Sequence, residues 1–314
     1  MNPSPKAFFQ SADYFFCFLS AVFLILAFPQ TDFWILAWIA LVPLFYVLDG
    51  KNMRAAFGRA YLTGFIFFAA TFYWFIHVTA IGAFLIVSYL AIYFGLFGLG
   101  YSFFQKRKLL EKLFVLPSLW VALEFIRAHF LTGFGWASVG HSQYENLPVI
   151  QIADLTGMWG VSFVVVMVNC LFKELIGIKN IRTIKQPLRE AIFITATVMA
   201  IVLGYGFFCL NRTYDLPKVT VSVVQGNIPQ ELKWNEAMWP DILAKQVVLS
   251  EQAARENPQL IIWPETSFPG LIGEDDALLG EMQGFVKRLN IPLVFGSVVK
   301  VTVPMRGALT GCCG

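Results

Sequence analysis

Among the residues whose type and setting allow chemistry, Glu265 is the best placed. It follows the short apolar run Leu260-Ile261-Ile262-Trp263, which reads as a buried strand, and Pro264 restrains the backbone between the two. Active groups in parallel sheets sit just past the carboxyl ends of strands, so a carboxylate here is a candidate general base. A glutamate at a strand end is also commonly a solvated loop residue, and these residues alone leave both readings open. Glu124 and Arg127 form a second constellation, one helical turn apart in an apolar stretch. A charge at the centre of a membrane helix costs about 2.5–3.5 kcal/mol, whereas a Leu or Phe returns only about 0.3–0.6. The two are therefore expected to be paired, or hydrated near the outer interface. Direct catalysis and an ion pair that fixes helix packing both fit. Trp136, close behind them, is either a substrate-binding aromatic or, like Tyr144 and Trp159, an ordinary interfacial one.

The other reactive side chains narrow the chemistry. Cys17, Cys170 and Cys209 lie in apolar runs, where a free Cys behaves as a small hydrophobe, and Cys312 and Cys313 are adjacent between Gly311 and Gly314. No CxxC or metal-ligand spacing occurs, and His77, His129 and His141 are scattered, so no metal or cofactor is implied.

The elements that must position these groups belong to two kinds of chain. Of the 314 residues, 57% are hydrophobic and only 14% charged, against about 25% charged in soluble domains, so lipid has to serve as a second apolar solvent. Seven stretches read as spans: 14–28, 33–48, 60–76, 81–104, 113–130, 159–172 and 191–210. The first lacks the small residues of a cleavage site and is expected to be a retained helix. Lys6, then Lys51, Arg54 and Arg59, then Lys106 to Lys112, then Lys173 to Arg189 fall in alternate loops. The positive-inside rule places the N-terminus in the cytoplasm and everything beyond Leu210 outside. The net charge of +3 hides this asymmetry and offers no clustered basic face for nucleic acid.

After residue 212 the texture changes to alternating strands and helices. Lys218 to Gln225, Leu260 to Trp263 and Ile291 to Val299 read as strands. Asn235 to Glu256 reads as a helix, and so does the stretch from Asp276 that carries Leu278, Leu279, Met282, Phe285, Val286 and Leu289 on one face. The alternation predicts a parallel sheet.

Several blocks share a pattern with a known family. Leu260 to Pro269 (LIIWPETSFP) resembles the first catalytic motif of nitrilase-like carbon-nitrogen hydrolases, whose W-P-E glutamate is the base. Val221 to Gln230 (VSVVQGNIPQ) with Lys233-Trp234, Glu124 with Arg127, Gly133-Phe134-Gly135-Trp136, Gly140 to Gln143, Gly157 to Phe163 and Pro43-Leu44 resemble apolipoprotein N-acyltransferases. The likeness runs over roughly residues 13 to 299. It implies a transmembrane helical domain over 1–211, the N-terminal part of a nitrilase-like α/β sandwich over 212–300, and a non-matching tail over 301–314. It also implies a ping-pong reaction. A phospholipid gives its acyl chain to a cysteine thiol, and the thioester passes it to the α-amino group of a diacylglyceryl-modified apolipoprotein. The family uses Glu, Lys and Cys, and only Glu265 carries over.

The Lys motif and the later Cys have no match. Lys300, Cys312 and Cys313 have no strand to support them as substitutes. The expectation is a truncated, inactive chain from a disrupted frame or a fragment, with an outer domain of low stability. Its place would be the bacterial inner membrane, with membrane lipid around the helices and the hydrolase-like domain periplasmic. Two other readings stand beside it: a lipid-binding remnant without enzyme activity, and a seven-helix transporter or receptor. The absence of any inverted repeat speaks against the latter.

Overall fold

The structure is a computed structural model. It describes residues 5–299 apart from 30, 132, 177–184, 214–215, 270 and 273–275. Lys179, Arg182, Lys300, Cys312, Cys313 and the tail 301–314 lie outside the described residues. The chain divides into two compact units at Thr213.

The first unit is helical. In order come α1 (Pro5–Leu26), α2 (Val42–Leu48), α3 (Met53–Thr71), α4 (Ala80–Phe104), α5 (Leu109–His129), the single turn α6 (Leu147–Ile150), α7 (Ala153–Leu175) and α8 (Gln186–Leu210). Among the described residues, α4, α7 and α8 are long and apolar enough to cross a membrane. The apolar stretches Ser11–Ala27 and Trp34–Leu48 are shorter. α3 and α5 have similar length but carry charge, Arg54 and Arg59 in one and Glu111, Lys112, Glu124 and Arg127 in the other. The side chain of Asn52 caps α3 by accepting the Ala55 N–H at 3.0 Å. Phe45, Phe67, Phe68, Phe97 and Trp120 make up much of the packed interior. Lys173 ties helix ends together through ion pairs to Asp49 and, at 3.1 Å, to Glu174, which Lys112 also reaches at 3.2 Å.

The sequence predicts one continuous span over 33–48, and the structure breaks it. A 3-10 turn at Trp34–Trp38 ends near Ile39, and Pro43 then opens the short α2. The backbone groups released by the break find side-chain partners. Asn169 on α7 accepts the Leu41 N–H and donates to the Ala37 carbonyl, both at 2.8 Å. Ser20 on α1 donates to the Ala40 carbonyl at 2.5 Å. An interrupted helix among apolar neighbours requires such substitutes, because water is not there to provide them.

The second unit holds the parallel pairs that the strand and helix alternation predicts. β1 (Val221–Val223) pairs with β2 (Leu260–Ile262), and β2 with β4 (Leu293–Val294), in the order β1-β2-β4. β3 (Leu271–Ile272) and β5 (Val298–Val299) form a separate parallel pair. The stretch expected as one strand over 291–299 is thus two strands in two sheets. The single turn α9 (Gln230–Lys233), then α10 (Trp239–Ala254) and α11 (Asp276–Leu289), complete the unit. The helix expected over 235–256 begins as a 3-10 turn, Glu236–Met238, because Pro240 sits in the first turn of α10. The predicted apolar face of α11 is the buried one: Met282 and Phe285 join Val224, Leu243, Ile261, Trp263 and Phe268 in the core.

Candidate functional site

Glu265 is held by its neighbours' backbone rather than through its own side chain. The strand before it is fixed in place, since the Trp263 N–H donates to the Val294 carbonyl at 2.8 Å. The Trp263 indole donates to Ser250 Oγ at 2.8 Å, and that hydroxyl donates to the Gln246 carbonyl at 2.8 Å. On the far side, the Gly296 carbonyl accepts the N–H groups of Ser267 and Phe268 at 3.1 and 3.3 Å. Gly296 passes so close that a Cβ there would lie 2.8 Å from Glu265 Cα and 2.8 Å from Thr266 N. Only glycine fits, which is why the expected strand over 291–299 divides at this point. Thr266 is itself left-handed, with φ +50°, an uncommon conformation for a β-branched residue and a mark of backbone held under constraint.

The resulting turn presents an exposed carboxylate to a cavity of about 380 Å³, whose lining includes Gln225, Asn227, Lys233, Trp234, Trp239 and Gln246. Among the described residues Glu265 makes neither hydrogen bond nor ion pair, so its oxygens are open to a proton donor in the cavity. Gln246 and Trp239 come to this site from α10 by tertiary packing, and no local pattern announces them, whereas Ser267 follows Glu265 by two residues in the same turn. Gly296 has a signal, because an isolated glycine within a strand pattern marks close backbone approach.

Glu124 and Arg127 behave otherwise. Both are buried, at 6% and 2% exposure, so neither is hydrated, and they form no ion pair within 4.0 Å. The predicted pair is corrected in this respect. Glu124 Oε1 accepts the Trp120 indole N–H at 2.9 Å and the Val139 N–H at 2.7 Å. Arg127 donates through Nη1 to the Trp136 carbonyl at 2.6 Å and through Nη2 to Ser138 Oγ at 2.9 Å. The two charges pin the segment after α5 onto the helix, and Coulomb attraction between them acts only over a longer distance. Gly133 makes the turn possible: its φ is +80°, and a Cβ would lie 2.2 Å from the Ala128 carbonyl oxygen. Trp136 is held through its backbone, and its ring is 57% exposed beside Trp74, centroids 5.9 Å apart. That exposure suits an interfacial aromatic.

Residues 20–171, which hold this pinned segment, match the family described as apolipoprotein N-acyltransferase N-terminal domain. The chain belongs to the apolipoprotein N-acyltransferase family. A relative from Geobacter metallireducens named apolipoprotein N-acyltransferase is 33% identical over 298 residues, covering 91% of this chain and 57% of the relative. One from Chlorobaculum tepidum is 30% identical over 304 residues, covering 93% and 56%. One from Haemophilus ducreyi is 27% identical over 285 residues, covering 87% and 54%. The chain thus spans little more than half the length of the curated apolipoprotein N-acyltransferases it matches. The family's membrane-side match contains the corrected Glu124 and Arg127 contacts, whereas Glu265 lies beyond residue 171.

Proposed function

We propose that this chain carries the membrane bundle and the base-bearing part of an acyltransferase that moves an acyl chain from a phospholipid to the α-amino group of diacylglyceryl-modified lipoproteins. In this reading the helical unit spans the bacterial inner membrane seven times with its N-terminus in the cytoplasm. The second unit is the opening part of a nitrilase-like sandwich on the periplasmic side. The segregation of Lys and Arg into alternate loops supports that orientation.

Glu265 is the general base. It takes the proton of a nucleophilic thiol, whose sulfur then attacks the phospholipid ester, and returns it to the departing lysophospholipid oxygen. In the second half it takes a proton from the acceptor amine as nitrogen replaces sulfur on the acyl carbon, and returns it to the departing cysteine sulfur. The observation that carries this reading is the unengaged carboxylate of Glu265, fixed at a strand end and open to a cavity, in a chain of this family. The residues from 214 to 299 include no cysteine, so the nucleophilic thiol of this reading lies outside them.

A hybrid tests the assignment. Residues 1–299 of this chain are joined to the remaining C-terminal part of the Geobacter metallireducens relative, and N-acylation of a lipopeptide is followed by mass spectrometry. The hybrid is expected to transfer the acyl chain, and Glu265→Gln to lower the rate by about 10²–10⁴-fold. A hybrid that binds phospholipid and never transfers it would favour the lipid-binding reading instead.

A further inference from the structure

Two clusters of charge in the helical unit balance differently. Where Lys112 and Lys173 meet Asp49 and Glu174, two cations face two acids, and all four are in ion pairs. Between α1 and α3, Lys51 and Arg59 share the single Asp13, at 2.7 and 3.5 Å, which leaves one positive charge over. The surplus lies at Arg59. Its Nε is shut in, whereas both Nη groups reach the surface and donate no hydrogen bond among the described residues. A guanidinium with unused donors in the second turn of α3, among apolar neighbours, calls for a partner that lipid tails cannot supply. We propose that Arg59 and Lys51 hold the phosphodiester of a phospholipid whose headgroup carries a net negative charge, with its acyl chains lying along α1.

Geometry and charge restrict the ligand. The N–H fork of an arginine matches two oxygens of one phosphate or carboxylate. The surroundings favour a lipid as the source. Arg59 Cζ lies 3.9 Å over the Tyr14 ring, and Tyr14, Phe15 and Phe18 are all exposed on α1, with Phe18 one turn along the helix from Tyr14. A Cβ added at Gly58, next to Arg59, would meet open space. An anion at Arg59 therefore sits at the head of an uncovered apolar strip, which acyl chains fill and a free anion leaves bare. A zwitterionic headgroup brings an ammonium as well, and Asp13, the acid of this cluster, is already taken by Lys51 and Arg59. A headgroup with one net negative charge cancels the surplus. In the orientation proposed above this end faces the cytoplasm, so the lipid held here is a structural one and not the acyl donor. Its binding depends neither on that orientation nor on acyl transfer.

The test uses the whole chain in detergent and follows the first bound lipid by native mass spectrometry, with phosphatidylglycerol and phosphatidylcholine of identical acyl chains as probes. Phosphatidylglycerol is expected to bind at least about fivefold more tightly, the effect of one cation beside an anionic headgroup. Arg59→Gln and Lys51→Gln each cancel the surplus charge and should each remove most of that preference. Lys51 lies in the link between α2 and α3, so its variant carries the test if Arg59→Gln fails to fold. Arg107→Gln, which deletes an exposed cation paired with Glu111 elsewhere on the unit, should keep the preference. Inorganic phosphate should not displace the lipid. Equal binding of the two lipids, full preference in folded Arg59→Gln and Lys51→Gln chains, or an equal loss in Arg107→Gln would each overturn the proposal. Displacement by inorganic phosphate would overturn it too, by assigning the site to a free anion. All of these outcomes leave Glu265 as the base, which the hybrid measures separately.

Discussion

Glu124 and Glu265 are both carboxylates placed by short local motifs, and their surroundings are opposite. Glu124 is buried and accepts two hydrogen bonds at Oε1, one from an indole and one from backbone. Glu265 is exposed on a cavity, held only through its backbone, with no partner among the described residues. One side chain is committed to holding structure and the other is free to exchange a proton. The comparison separates two meanings of an acidic residue in an apolar chain. Burial alone does not mark catalysis: Glu124 gives Oε1 to two structural hydrogen bonds, and only its buried Oε2 has no partner among the described residues.

The largest effect should come from the committed carboxylate. Glu124→Ala leaves the Trp120 indole and the Val139 N–H unpaired and Arg127 without its nearest acid, and a loss of about 3–5 kcal/mol is expected from uncompensated buried charge. Thermal unfolding in detergent measures it, and an unchanged midpoint would break the comparison. Asn169→Leu is the neutral counterpart on α7. It strips the partners from Leu41 N–H and the Ala37 carbonyl, at about 1–3 kcal/mol for each group left unsatisfied. Proteolysis at residues 37–42 should rise in parallel if the break there depends on Asn169.

Gly296→Ala acts on the other site and sharpens the contrast. Its new methyl group pushes on Glu265 Cα and Thr266 N, with about 1–3 kcal/mol expected from overpacking. The cavity should be deformed even though no side chain that touches substrate is changed, so hydrogen exchange should quicken at Ser267 and Phe268, whose N–H groups Gly296 accepts. The smallest stability effect belongs to Glu265→Gln, within about 0.5 kcal/mol, because the side chain it alters engages nothing.

How much of this is legible in the sequence follows from the range of each interaction. Glu265 is legible because a strand, a proline and an acid are consecutive. The apolar face of α11 is legible because helical periodicity is local. The backbone groups freed by the break at residues 39–43 bond to Asn169 and Ser20, both distant in sequence, so Phe33 to Leu48 reads as a continuous apolar run. A lone asparagine in the apolar run of α7 is the available signal, since such a residue has to find partners. The Glu124 and Arg127 motif identifies the right pair, but the spacing suggests that they bond each other. The loop that intercepts both becomes visible only once Gly133 turns the chain back over α5. Gln246 joins Glu265 because α10 packs beside Trp263, tied there by the Ser250 hydroxyl, which no periodicity records.

The most direct measurement pairs Glu265→Gln with Glu124→Gln in the hybrid chain and records unfolding midpoint and acyl-transfer rate for each. Glu265→Gln is expected to keep the midpoint and lose about 10²–10⁴-fold in rate, while Glu124→Gln lowers the midpoint. A Glu265→Gln hybrid that transfers acyl groups at the unsubstituted rate would contradict the assignment of Glu265 as the base.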